Sequence, residues 1–176
     1  MEPQMTSIKN IRVGILMGSD SDWPKIKAVA TALDEFDIGY EVQVMSAHRT
    51  PDLVSHYAQS AKERGLQVLI AAAGGAAHLA GVCAAHTILP VIGIPVPTDL
   101  AGGLDSLLST VQMPGDIPVA TVGAGMGGPR NAGLLAVQIL ALTDPSLSDK
   151  LLQFKRQLVE KVKQRNAKLQ ETMAHP

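Results

Sequence analysis

The chain has 176 residues, a formal net charge of −1 and one cysteine, Cys83. This length favours a single domain with a substantial core. The near-neutral charge and the aromatic content of 3% argue against nucleic acid and membrane surfaces as partners. A lone cysteine excludes an internal disulfide. The stretch between Glu2 and Lys9 lacks the apolar segment that a signal peptide needs. We therefore expect a cytoplasmic protein without a signal peptide.

Apolar runs alternate with segments of helical periodicity along the chain. The runs predict strands at 13–17, 40–45, 68–73, 91–94 and 119–122. The periodic segments predict helices at 23–36, 51–64, 76–87, 104–111 and 129–142. Five strand–helix units predict a three-layer αβα fold with a parallel five-stranded sheet. Right-handed crossovers favour the flavodoxin-like strand order 2-1-3-4-5.

The uncharged stretch 67–98 is long enough to raise the question of a membrane span, which needs ~20 apolar residues. Gly74, His78, His86 and Pro90 break it into pieces the size of strands and helices. A central parallel strand covered on both faces also reads as continuously apolar. We therefore expect core strands here and no membrane span.

The segment 146–173 predicts one helix of roughly 40 Å. One apolar stripe recurs along it at spacings of three and four: Leu147, Leu151, Phe154, Leu158 and Val162. A domain of this size spans ~30–35 Å, so we expect the helix to project and pack on a partner subunit; the alternative is a frayed end beyond Gln164. The chain then divides into an N-terminal tail (1–10), a catalytic domain (11–143) and a C-terminal helix for subunit packing (144–176).

The first two strands end in polar corners, and ligands of open α/β sheets bind at the carboxyl ends of strands. After the first strand, Ser19 and Ser21 offer hydroxyls beside a helix N-terminus, which attracts phosphate, and Asp22 is an acceptor for ribose hydroxyls. Serine and aspartate are also common helix caps, so this corner alone leaves capping and binding equally open.

The second corner reads SAHRTP at 46–51. Thr50 is placed to cap the next helix, whereas His48 and Arg49 precede the cap and have no use there. Imidazole moves protons near neutral pH, and guanidinium holds phosphate through two parallel hydrogen bonds. The pair indicates an enzyme that acts on a phosphorylated metabolite.

Two glycine-rich corners follow. GGAAH at 74–78 offers bare backbone N–H groups to an anion or a planar ring, although tight helix–sheet packing explains it equally well. GAGMGG at 123–128 matches a dinucleotide fingerprint, but no strand with a ribose-binding acid follows it. Close helix packing, or the need for small residues where the backbone approaches a site, explains this motif better than the binding of a nicotinamide or flavin cofactor.

Other signals of cofactor chemistry are missing. The sequence contains no ATP-binding P-loop, no serine-centred GxSxG and no spacing typical of a zinc site. We therefore expect no cofactor and no metal. His56, His86 and His175 lie in helical patterns or in the tail, and we assign them no chemistry.

Four segments together, at 18–23, 46–51, 73–79 and 105–114, resemble the catalytic-subunit family of phosphoribosylaminoimidazole carboxylase. The resemblance covers about residues 11–143. Arg49 stands where the metazoan-type carboxylases carry lysine, so the chain is most similar to the bacterial class, the N5-carboxyaminoimidazole ribonucleotide mutases of purine biosynthesis.

The resemblance implies a cofactor-independent, octameric isomerase. It moves a carboxylate from a ring-attached nitrogen to a ring carbon of an imidazole ribonucleotide, through decarboxylation and recarboxylation with trapped CO2. His48 would be the general acid and base, with Arg49 and Ser19 on the phosphate and Asp22 on the ribose. The other implied substrate-binding residues are Ser21, Ser46, Ala47, Gly74, Ala76, Ala77 and His78.

Three alternatives stay open at this point. The first is the same fold carboxylating aminoimidazole ribonucleotide directly with CO2, and the second is a related carboxylase acting on another mononucleotide. A non-catalytic flavodoxin-like binding or signalling module is the third. A phosphoacceptor module needs an aspartate at the end of a strand, where this sequence has Met17, Met45 and Ala73.

Overall fold

The computed structural model describes residues 10–174. The N-terminal tail up to residue 9 and His175 lie outside this range. Five parallel strands form one sheet in the order β2-β1-β3-β4-β5, which confirms the predicted topology. The strands are β1 (Ile11–Met17), β2 (Gly39–Val44), β3 (Val68–Gly74), β4 (Val91–Val96) and β5 (Ala120–Thr121).

Helices cover both faces of the sheet. They are α1 (Trp23–Ile26), α2 (Ala28–Asp34), α3 (Pro51–Ser60), α4 (Leu79–His86), α5 (Leu104–Val111), α6 (Gly127–Ala141) and α7 (Pro145–Ala174). One face packs against α2, α6 and the start of α7, and the other packs against α3 and α4. The central strands are therefore buried on both sides, which explains their continuously apolar sequence.

Side chains alternate between the two cores along each central strand, as the period of two requires. In β1, Ile15 and Met17 enter the core under α2 and α6, whereas Leu16 enters the core under α3 and α4. In β3, Ile70 and Leu69 divide in the same way. The carboxyl ends of β1, β2 and β3 are thereby held side by side at one edge of the sheet.

Several boundaries differ from the sequence predictions. The helix predicted at 23–36 follows a short 3₁₀ turn at Asp20–Asp22 and is interrupted at Lys27, whose carbonyl also accepts the N–H of Ala30 only three residues on. The helix predicted from 76 begins at Leu79, because the preceding residues form a turn. β5 spans two residues rather than four. These differences lie in turns and at an edge, where hydrophobic periodicity is weakest.

The C-terminal helix α7 is 30 residues long, about 45 Å at 1.5 Å per residue. Leu147 is buried, and Phe154 packs edge-on against Phe36 with ring centroids 5.7 Å apart. Beyond Phe154 every described residue of the helix is exposed, including Leu158 and Val162 of the predicted stripe. The first part of the stripe thus joins the core, and the second part lies exposed on the projecting helix.

The glycine-rich motif at 123–128 packs the N-terminus of α6 against the loop before it. A Cβ atom on Gly128 would overlap the carbonyl oxygen of Gly123, whereas a Cβ on Gly127 would meet nothing within 4 Å. Close packing therefore explains the last glycine of the motif.

We expect Gly128→Ala to lower the free energy of unfolding by about 1–3 kcal/mol, because the added methyl forces the loop and the helix apart. Gly127→Ala is the matched control and should change stability by less than about 0.5 kcal/mol. Urea unfolding at one protein concentration measures both. Equal free energies of unfolding of the two variants would contradict this prediction, because they would show that the loop before α6 shifts to accommodate the methyl group without loss of stability.

Within residues 10–174, no helix combines the length and the apolar character that a membrane crossing requires.

Candidate active site

A cavity of about 450 Å³ opens at the carboxyl ends of β1, β2 and β3. The strand order changes direction between β1 and β3, because β2 is added on one side of β1 and the later strands on the other. Open α/β sheets bind ligands at such a topological switch point. The cavity is lined by Gly18, Ser19, Asp22, Ser46, Ala47, His48, Arg49, Ala73, Gly74, Ala76 and Leu79. Residues from three separate corners of the sequence therefore share one opening.

The corner after β2 is organised by Ser46 and Thr50. The Ser46 hydroxyl accepts the backbone N–H groups of His48 and Arg49 at 3.3 and 3.2 Å. The Thr50 hydroxyl accepts the Ser46 N–H at 2.9 Å and lies 3.1 Å from the Ser46 carbonyl. Thr50 occupies the N-cap position of α3 but makes no capping hydrogen bond, so the predicted cap is wrong: its hydroxyl closes the loop instead.

Arg49 reaches from this corner to the corner after β1. Its Nη2 atom donates to the carbonyl of Gly18 at 2.9 Å. At that corner the Ser19 hydroxyl accepts the N–H of Ser21 and lies 2.8 Å from the Ser21 hydroxyl. Ser19 thus caps the 3₁₀ turn, which confirms the capping interpretation of this corner, and it also lines the cavity. A guanidinium and a hydroxyl at one opening suit a phosphate.

His48, from the corner after β2, contacts His78, from the corner after β3, beside the cavity. Nε2 of His48 lies 2.8 Å from Nδ1 of His78, with the rings edge-on at 4.9 Å between centroids. One ring must donate and the other accept, so the two facing nitrogens hold one proton between them. His78 therefore orients the imidazole of His48.

The corner after β3 is a tight turn. Gly75 has a φ of +66°, in the left-handed region that glycine adopts without strain. Its carbonyl accepts the N–H of Ala77 at 2.8 Å, and its N–H donates to the Ser106 hydroxyl at 2.9 Å. Gly74 and Ala76 line the cavity, whereas Ala77 is only 1% exposed and packs inward.

Burial changes the acidity of two groups near the sheet edge. Burial raises the pKa of Asp22, and the nearby Lys25 only partly offsets this. Burial also raises the pKa of the Cys83 thiol to about 12, which makes it a poor nucleophile at neutral pH. Within residues 10–174, no group of three His, Cys, Asp or Glu side chains is placed to hold a metal ion.

The structure brings eight of the eleven predicted site residues to the cavity wall: Ser19, Asp22, Ser46, Ala47, His48, Arg49, Gly74 and Ala76. Ser21 and His78 contact it indirectly, through Ser19 and His48, and Ala77 lies behind it. Gly18, Ala73 and Leu79 also line the cavity without having been assigned to it. For Gly18 and Ala73, the position at the ends of β1 and β3 was a signal in the sequence that could have identified them.

Comparisons with known proteins agree on one family. The family model for AIR carboxylase matches residues 12–161. A protein named N5-carboxyaminoimidazole ribonucleotide mutase from Mycobacterium tuberculosis (strain CDC 1551) is 57% identical over 159 residues, covering 90% of each chain. A protein of the same name from Bacillus subtilis (strain 168) is 58% identical over 139 residues, covering 79% of this chain and 86% of that one.

A solved structure agrees with the sequence relatives. The crystal structure of Treponema denticola PurE has a TM-score of 0.80 and 31% sequence identity, covering 89% of this chain and 97% of that one. The span matched by the family model includes the three corners that form the cavity. The chain therefore belongs to the AIR carboxylase family.

Proposed function

We propose that this protein is an isomerase of de novo purine biosynthesis that converts N5-carboxyaminoimidazole ribonucleotide to 4-carboxy-5-aminoimidazole ribonucleotide. The observation that carries the proposal is the convergence of His48, Arg49 and Ser19 on one cavity. Relatives that are 51–58% identical carry the mutase name, which favours this reaction over direct carboxylation. The lone, buried Cys83 is consistent with a reducing cytoplasm.

His48 would move both protons of the reaction. As the bond between the ring-attached nitrogen and the carboxylate breaks, protonated His48 gives a proton to that nitrogen, which releases CO2 and the neutral amine. The electron-rich ring carbon then attacks CO2, and neutral His48 removes the proton from that carbon. His48 gives up one proton and regains one, so the same imidazole serves first as acid and then as base.

The cavity would hold CO2 between the two steps. The ring supplies its own nucleophile, so the task of the protein is to keep CO2 beside the correct carbon and away from water. Arg49 and Ser19 would anchor the phosphate and Asp22 the ribose. The small side chains of Ala47, Gly74 and Ala76 would leave room for the ring and the carboxylate.

A paired assay tests the function. The protein is incubated with the N5-carboxy nucleotide alone, or with aminoimidazole ribonucleotide and bicarbonate, and formation of the 4-carboxy product is followed. We expect rapid conversion of the first substrate without added bicarbonate. Product from the second mixture alone would indicate a direct carboxylase, and no product from either would indicate a binding module.

We also propose that α7 packs between subunits, in an octamer. Its projecting part carries exposed apolar side chains that a monomer would leave in water: Leu158, Val159, Val162, Leu169 and Met173. Burying such side chains against a second subunit stabilises the assembly by ~25 cal/mol per Å².

Light scattering of the Leu158→Glu/Val162→Glu double variant checks this packing. We expect the unsubstituted protein to be an octamer and the variant to dissociate into smaller species, because the carboxylates cannot be buried unpaired. Gln164→Glu, which lies roughly opposite Val162 on the helix, should leave the assembly intact. A monomeric unsubstituted protein would contradict the proposal.

A further inference from the structure

Helix α5 carries two hydroxyls on its buried face. Ser106 and Thr110 are 0% and 3% exposed, and they are the polar side chains buried to this degree among residues 10–174. Alanine or valine would pack equally well at such positions, whereas a buried hydroxyl needs hydrogen-bond partners. Thr110 donates to the carbonyl of Ser106, within its own helix, at 2.7 Å. Ser106 instead bonds outside the helix.

Ser106 connects the ends of two strands. Its hydroxyl donates to the carbonyl of Val96, the last residue of β4, at 2.7 Å. The same oxygen accepts the N–H of Gly75, directly after β3, at 2.9 Å. These two shorter contacts are with backbone groups, so the hydroxyl fixes the path of the chain; a longer contact of 3.5 Å reaches the Asp105 carboxylate.

Ser109 holds the other side of the same residue. Its hydroxyl lies 3.0 Å from the carbonyl of Gly75 and 2.7 Å from the carbonyl of Asp105 in its own helix. Helix α5 thus contacts both the N–H and the C=O of Gly75. We call these contacts of Ser106 and Ser109 with Gly75 the α5 clamp.

Gly75 needs such a clamp because glycine at a φ of +66° has other conformations of similar energy. Only two residues lie between it and His78, and the two hydrogen bonds of the turn join Ala77 to Gly75 and His78 to Ala76. Any rotation at Gly75 therefore moves His78. The contact of 2.8 Å between His78 and His48 is lost when the nitrogens separate beyond about 3.5 Å.

We infer that Ser106, assisted by Ser109, is a positioning residue for the reaction: the α5 clamp fixes the Gly75 turn, and the turn fixes His78 against His48. This inference rests on the proposed function. It assigns a role to the segment 105–114, whose residues Ser106 and Ser109 lie outside the cavity wall. Neither residue touches the phosphate end of the cavity, so the clamp acts on turnover and not on substrate binding.

The test compares Ser106→Ala with Thr110→Val, which removes an equally buried hydroxyl from the same helix without touching Gly75. We expect Ser106→Ala to lower kcat about 10- to 100-fold through displacement of the histidine pair, with KM changed less than about threefold. Thr110→Val should keep the kcat of the unsubstituted protein, even if its thermal unfolding midpoint falls as far as that of Ser106→Ala. Active-site titration with the ribonucleotide corrects for any unfolded fraction.

A second pair at a less buried position covers the case in which Ser106→Ala does not fold. Ser109→Ala should lower kcat in the same sense, and Ser109→Thr, which keeps the hydroxyl, should restore it. Unchanged kcat in both alanine variants, or an equal fall in Thr110→Val, would overturn the inference.

A structural readout separates failure of the clamp from failure of the proposed function. If the unsubstituted protein does not convert the nucleotide, the proposed function fails and kinetics no longer reports on the clamp. Crystal structures then decide: we expect the 2.8 Å contact between His48 and His78 to be kept in Thr110→Val and lost in Ser106→Ala or Ser109→Ala. An intact contact in the alanine variants would refute the clamp.

Discussion

Replacement of His48 by asparagine is expected to lower turnover by about 10²- to 10⁴-fold, the range for loss of a general acid–base group. Asparagine retains hydrogen-bonding capacity toward His78 but cannot gain or lose a proton near neutral pH. Binding should survive, because the proposed phosphate anchor lies on Arg49 and Ser19. Steady-state kinetics gives the first quantity, and calorimetric titration with the ribonucleotide product gives the second.

His56→Asn is the matched control for this variant. His56 is an exposed histidine on α3 that does not line the cavity, so its replacement should leave kcat within about twofold of the unsubstituted enzyme. Turnover close to normal in His48→Asn would remove His48 from the mechanism. A large loss in both variants would point to a general effect of altering this region.

Replacement of Arg49 by alanine is expected to weaken substrate binding more than chemistry. A hydrogen bond to a charged group contributes about 1.5–3 kcal/mol, which corresponds to a rise in KM of about 10- to 100-fold. A contact made equally in the ground and transition states changes KM and leaves kcat nearly constant. Initial rates over a range of substrate concentrations separate the two parameters.

Two further variants sharpen the interpretation of Arg49. Arg49→Lys keeps the charge but loses the forked geometry and the reach to the Gly18 carbonyl, so we expect an intermediate KM. Lys62→Ala removes one exposed positive charge outside the cavity and should change neither parameter. An unchanged KM in Arg49→Ala would refute its assignment to the phosphate.

The fold was predictable because its signals are local. The central strands are short, mostly apolar runs, and most helices show a clear period. The handedness rule then restricts the strand order. The interruption at Lys27 and the late start of α4 were missed because hydrogen bonds of single turns decide them, while the apolar pattern continues across. The cap expected at Thr50 failed for a similar reason, since its hydroxyl bonds to Ser46.

The site was predictable corner by corner but not in its connections. Placement at the carboxyl ends of adjacent strands predicts that His48, Arg49 and Ser19 lie close together, and they line one cavity. The hydrogen bond between His48 and His78 was not predictable from the sequence motifs. Such a contact joins residues 30 positions apart and depends on side-chain orientation. The role of Ser106 was hidden for the same reason, because its partners are distant in sequence: Val96 at the end of β4 and Gly75 directly after β3.

A crystal structure with the 4-carboxy ribonucleotide bound is the most direct test of whether these three corners form one catalytic site. We expect the phosphate within hydrogen-bond distance of Arg49 and Ser19, and the carboxylated ring carbon about 3–3.5 Å from a ring nitrogen of His48. A nucleotide bound elsewhere, or an imidazole of residue 48 directed into bulk solvent in every subunit, would contradict the account.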